Sequence, residues 1–221
     1  WGMVIATIIV LSNLAAVGVQ FFYLLLARIF DHPTLADLGT SNKLVNILTT
    51  LALLAAATYI SMRGITTSER IQYYLVGFQM IVLVVFSVIA FVKVGNGSAP
   101  GGLTFDIDWF NPFTGLTITA FAVGLTGSIF AFWGWDTCLT LGEESKDPER
   151  TPGRAGLLCV LTILGTYLLV ALATMMYAGV GEEGLGLGNP DNADNVFGAL
   201  AEPVMGRWGG ILLFLAILVS S

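Results

Sequence analysis

Long apolar runs separated by short polar stretches dominate the chain, and neither a period of two nor a period of 3.6 organises them. Five runs reach the roughly 18–20 residues that a helix needs to cross a bilayer. They cover 2–29, 44–62, 71–92, 117–141 and 156–180, and a sixth covers 209–221, truncated before it can span. Inside lipid the backbone N–H and C=O groups must be satisfied within the segment, so each run is predicted to be α-helical. The alternating segments of about ten residues that mark a membrane β-barrel are absent. The expected fold is an all-α polytopic membrane protein with a single transmembrane domain.

Composition narrows the function classes. Of 221 residues, 56% are hydrophobic and 11% charged, where a soluble domain carries about 25% charge. Nine Lys and Arg against fifteen Asp and Glu leave a net charge of −6, the wrong sign for a nucleic-acid partner. Cys138 and Cys159 lie in or beside apolar runs. They fit neither a metal site nor a disulfide framework and read as small packing residues. Soluble enzymes and disulfide scaffolds are thereby excluded. The chain opens at Trp1 with no signal-peptide n-region and closes within an apolar run, so it is expected to be an excerpt from a longer protein.

The loops fall into two sets by alternation. The segments 63–70 and 143–154 hold Arg63, Arg70, Lys146, Arg150 and Arg154. The longer set, 28–43, 93–113 and 181–208, holds Arg28, Lys43, Lys93 and Arg207. Basic density is roughly four times higher in the first set, which the positive-inside rule assigns to the cytoplasm. The expected location is therefore the cytoplasmic membrane, with the acidic residues from Asp31 to Glu202 facing outward.

Several outer patterns carry no chemistry on this reading. The glycine-rich 184–188 lacks the preceding strand and following helix of a phosphate loop. Asn96, Gly97 and Ser98 fit a glycosylation sequon that arises often by chance. His32, the only histidine, reads as a surface residue beside Pro33. Asp106, Asp108 and Trp109 read as a loop with an interfacial aromatic anchor.

The informative stretch is 127–155, GSIFAFWGWDTCLTLGEESKDPERTPGRA. Gly124, Gly127, Gly134 and Gly142 weaken helix here, by about 1 kcal/mol per site. Asp136 places a carboxyl group in the apolar run at a cost of roughly 2.5–3.5 kcal/mol, so it faces a bundle interior or a wet cavity. Two readings stand: a structural carboxyl helped by Thr140, or a group linked to substrate or proton. If the backbone unwinds around 131–134, free N–H and C=O groups appear at membrane depth. Such half-helix ends suit a zwitterion, with amides holding a carboxylate and carbonyls an ammonium. Phe130, Phe132, Trp133 and Trp135 serve either as packing aromatics or as a cover for the bound molecule.

These residues resemble the sixth helix and following loop of the amino acid–polyamine–organocation permeases. The likeness runs through Phe130, Ala131, Phe132, Trp133, Gly134, Trp135, Asp136, Glu143, Glu144, Lys146, Pro148, Arg150 and Pro152. The stretch 59–71, YISMRGITTSERI, resembles the family's connection between helices four and five. The resemblance implies an inverted-repeat, five-plus-five transporter fold with a broken sixth helix, of which this chain carries helices three to eight. It implies a secondary transporter of amino acids or related amines that works by alternating access. Phe130 would be the aromatic lid, and Ala131, Phe132, Trp133 and Gly134 the unwound binding segment. Asp136 would sit at an acidic position linked to gating. Gln79 stands where several proton-coupled members carry a lysine, which leaves exchange or another coupling ion, H+ or Na+, open. The first helix, whose break holds the carboxylate in the family, is not in the chain.

The charged loop has two readings as well. Glu143, Glu144, Lys146 and Arg150 form either a solvated turn or an inner gate of weak ion pairs, each worth about 0–1 kcal/mol. Ser12, Asn13 and Gln20 are candidates either for facing the site or for bonding between helices. An intramembrane enzyme would need paired catalytic groups at membrane depth, and a channel a charge ring or filter motif; neither pattern is present. The expected partners are a small-molecule substrate and the lipid bilayer, with no nucleic acid and no cofactor. An exchanger is the alternative within the same fold, ahead of a channel or a non-transporting subunit.

Overall fold

The computed structural model describes residues 2–62, 65–111, 117–132, 147, 149–193 and 195–220. Among these the chain is helical, with no strand. In order, the helices are α1 (Gly2–Phe30), α2 (Thr34–Ser41), α3 (Lys43–Met62), α4 (Ile65–Gly95), α5 (Ile118–Ala131), α6 (Thr151–Ala178), α7 (Pro190–Ala193) and α8 (Val196–Ser220). A 3-10 turn, Ile107–Phe110, stands between α4 and α5. Five of the helices are long and apolar enough to cross a membrane: Ile8–Phe30, Lys43–Ile60, Glu69–Gly95, Thr151–Ala178 and Val196–Ser220. The protein is an all-α polytopic membrane protein.

Two boundaries differ from the sequence expectation for physical reasons. Residues 63–70 were expected as loop, yet α4 starts at Ile65. No proline or glycine stands between Ile65 and Val76, so nothing interrupts the hydrogen-bond ladder as it leaves the apolar run. The last span was expected from 209, whereas α8 bends at Gly206, with φ 72° and ψ 179°. That region of backbone space is open only to glycine, and it divides α8 into two segments, 196–205 and 207–220.

The helix ends account for the outer patterns. Asn96 donates its N–H to the Val92 carbonyl, Gly97 to Val94 at 3.0 Å and Ser98 to Lys93 at 2.9 Å. With Gly97 at φ 68°, the sequon tripeptide forms the C-terminal cap of α4. At the end of α1, Asp31 takes φ 58° and His32 donates its N–H to the Ala27 carbonyl at 3.0 Å. His32 is exposed in the turn before α2. In the glycine run, the N–H groups of Gly186, Leu187 and Gly188 are donated to the carbonyls of Glu183, Gly179 and Gly181. They hold their own loop against the end of α6 rather than an anion.

The chain forms two compact units. The first comprises Trp1–Gly102 and Ala173–Ser221, with α8 packed on α1 and α4. Its core holds Val19, Phe21, Phe86, Leu200, Val204, Leu213 and Phe214, with Phe21 and Phe214 rings 6.1 Å apart. Ala90, Ala173, Ala201 and Ala216 are buried among them, small residues that allow helices close approach. Buried Ser87 donates to the carbonyl of Leu83 at 2.9 Å, within its own helix. The Tyr23 hydroxyl meets Thr49 Oγ1 at 2.9 Å and ties α1 to α3, while Leu44, Ile47, Leu48 and Leu51 leave the apolar face of α3 exposed.

The second unit is Leu103–Leu172. Its 3-10 turn is capped by Asp106, whose Oδ1 accepts the Asp108 N–H at 3.0 Å, and Phe105 lies edge-on to Trp109 at 6.0 Å. Helix α6 begins with Pro152 in its first turn, where the missing N–H costs nothing.

Truncating the aromatic centre of the first unit is a direct check on its packing. Phe214→Ala is expected to lower unfolding free energy by about 3–5 kcal/mol in a denaturant titration in lipid micelles. A loss below about 1 kcal/mol would contradict the packing.

Candidate substrate site

Helix α5 opens on Thr117, whose Oγ1 accepts the Ala120 N–H at 3.1 Å, an ordinary N-terminal cap. The hydroxyls of Thr126 and Ser128 donate to the carbonyls of Ala122 and Gly124, both at 2.8 Å. These polar side chains are thus satisfied within their own helix. The helix ends at Ala131, and Phe132 lies in a turn whose N–H still reaches the Ser128 carbonyl at 3.0 Å. Fourteen residues make a rod of about 21 Å, shorter than the roughly 30 Å hydrocarbon slab.

The last carbonyls of a helix have no partner within it. At the end of α5, the carbonyl of Ala131 accepts the hydroxyl of Tyr167 on α6 at 3.0 Å. The Phe132 ring stands edge-on to the same tyrosine, with centroids 5.8 Å apart and planes at 76°. The structure therefore gathers Ala131, Phe132 and Tyr167 within the second unit. Tyr167 was missed in the sequence. Its signal is a phenol in the middle of an apolar span, where the hydroxyl needs an acceptor from another helix.

Of the other expected site residues, Phe130 is helical in its backbone, and its side chain lies outside what is described. Trp133, Gly134, Asp136, Glu143, Glu144 and Lys146 lie outside the described residues, as does Cys138. Arg150 is exposed in the turn before α6, and its N–H is donated to the Asp147 carbonyl at 3.3 Å. Gln79 belongs to the first unit, where its amide Nε2 donates to Ser220 Oγ at 3.1 Å and links α4 to α8. Ser12 donates to the carbonyl of Ile8 at 2.7 Å, in its own helix; Asn13 is exposed and Gln20 half-buried. Among the described residues no group of His, Cys, Asp and Glu is placed to hold a metal ion.

The chain matches the amino acid permease family over residues 1–221. It belongs to that family. The chain is 34% identical over 133 residues to an uncharacterized transporter of Mycobacterium tuberculosis, a match covering 58% of this chain and 27% of the relative. The counterpart in Mycobacterium bovis gives the same values. A putative arginine/ornithine antiporter of Escherichia coli K12 is 27% identical over 196 residues, covering 86% of this chain and 39% of the relative. The chain thus spans well under half the length of these curated relatives. No solved structure gives a significant match.

The contact at the end of α5 can be weighed by substitution. Tyr167→Phe, which keeps the ring, is expected to cost about 0.5–1.5 kcal/mol of unfolding free energy. Tyr167→Leu, which also removes the ring pair, should cost about 0.5–1.5 kcal/mol more. Three equal stabilities in denaturant titration would show that the contact does not form in the membrane.

Proposed function

We propose that the protein is a secondary active transporter of the cytoplasmic membrane that carries amino acids or related amines by alternating access. The substrate is seated on the segment 130–134. The observation that supports this reading is the end of α5 at Ala131, within an apolar run of the sequence, in a chain that matches the amino acid permease family throughout. A helix end presents carbonyls with partial negative charge, which suit an ammonium group. Phe130 is the aromatic cover, Trp133 and Gly134 complete the segment, and Asp136 is the carboxyl linked to gating. The charged residues Glu143, Glu144, Lys146 and Arg150 form the inner gate, whose weak exposed pairs fit a switch between states of similar energy.

Exchange is the second reading, and two observations favour it. One relative is named a putative arginine/ornithine antiporter. Gln79 is neutral and engaged with Ser220, so the inner half of α4 offers no titrating amine at that position. Neutral and cationic amino acids both suit the segment.

Two experiments on the full-length protein in lipid vesicles test these readings. Uptake is expected to saturate and to be reduced by competing free amino acids; for an exchanger, preloading the vesicles with unlabelled substrate accelerates it severalfold. Linear, uncompeted flux would point to a channel and reject the proposal. Phe130→Ala is expected to raise the substrate KM about tenfold or more, since it removes an aromatic contact worth roughly 1.5–3 kcal/mol of burial. An unchanged KM in a variant of normal abundance would remove Phe130 from the site.

A further inference from the structure

The end of α5 is held by one side chain through two separate contacts. Tyr167 of α6 donates its hydroxyl to the Ala131 carbonyl at 3.0 Å, and its ring meets the Phe132 ring edge-on, with centroids 5.8 Å apart. Ala131 C=O and Phe132 N–H belong to the same planar peptide group, and that N–H is donated to the Ser128 carbonyl at 3.0 Å. Both polar atoms of this one peptide are therefore pinned. Core packing does not account for the tyrosine. Tyr177, on the same helix, is 3% exposed and fills the core of the first unit, whereas Tyr167 is 46% exposed. Nor does its hydroxyl bond along its own helix, as those of Thr126 and Ser128 do; it crosses from α6 to α5. Tyr167 stands near the middle of a helix long and apolar enough to cross a membrane, where lipid offers a carbonyl no donor.

We infer that Tyr167 is a positioning residue of the substrate site, which sets the binding of the substrate's ammonium group by orienting the Ala131 carbonyl. This role rests on the transporter reading, in which substrate is seated on 130–134. A carbonyl oxygen has two lone pairs. The phenol engages one and thereby fixes the direction of the other, which no second donor takes among the described residues. Carbonyls at the C-terminal end of a helix carry partial negative charge, and an ammonium N–H makes a charge-assisted bond to such an acceptor. Without the hydroxyl, the 131–132 peptide keeps its bond to Ser128 and its ring contact but is free to tilt its oxygen. Substrate then loses a preset acceptor, although no group that touches it has been removed.

Uptake by the full-length protein in lipid vesicles, normalised to the amount reconstituted, tests this role with Tyr167→Phe. The probes are the free protein amino acids and putrescine, all of which carry an ammonium group or its equivalent. For a probe carried by the wild type, KM is expected to rise about tenfold in the variant, as for a weakened hydrogen bond to a charged group. The turnover kcat should change by less than about twofold, the pattern of lost binding rather than lost chemistry or folding. An unmoved KM overturns the role. A fall in kcat at constant KM would make Tyr167 a packing residue, and a lowered KM would make its hydroxyl a competitor for the carbonyl; either also overturns it. If Tyr167→Phe does not accumulate, Tyr167→Met, which likewise lacks a donor, is read by the same criteria. A wild type that carries none of the probes rejects the transporter reading itself, whereas a carried probe whose KM does not move in the variant rejects only the role of Tyr167.

Discussion

A peptide group that leaves a helix within a bilayer must find a partner in the protein, because lipid offers none. Much of what distinguishes this chain from a bundle of uniform rods follows from that requirement. Two helix ends are met by side chains from other helices: Ala131 by Tyr167, and Pro203 by Lys93 and Tyr177. The hydroxyls of Ser12, Thr126 and Ser128, by contrast, are satisfied one turn back along their own helices. Other polar side chains join helices away from such ends, Tyr23 with Thr49 and Gln79 with Ser220.

The spans could be read from the sequence, while the bend at Gly206 could not. Apolar runs report the thickness of the slab, which composition records directly. A bend depends on backbone angles at one residue, and Gly206 sits in a run whose composition resembles its neighbours. The proline three positions earlier is the visible trace, yet proline alone does not tell a kink from a helix end. At the other margin, residues 65–70 were assigned to a loop because they are polar. Polarity marks water, not the end of a helix.

The family was legible through the residue pattern from Phe130 to Pro152, and the match over the whole chain agrees with that resemblance, while most of the pattern's own residues lie outside the described ones. What the pattern does not contain is the partner of the helix end. Tyr167 lies on the next helix, 36 residues beyond Ala131, where no local motif announces it. Gln79 shows the complementary case. Its neutral amide was noticeable only against a family expectation, and its bond to Ser220 spans 141 positions of sequence.

Helix α3 has a different consequence. Leu44, Ile47, Leu48 and Leu51 project from it without cover, and the Tyr23–Thr49 hydroxyl contact is its polar tie to α1. Wherever that face meets lipid rather than another apolar helix, the acyl chains help to set the position of α3. Solubilising agents of different tail length are in effect different environments for this helix, and purification chemistry becomes a variable of its conformation.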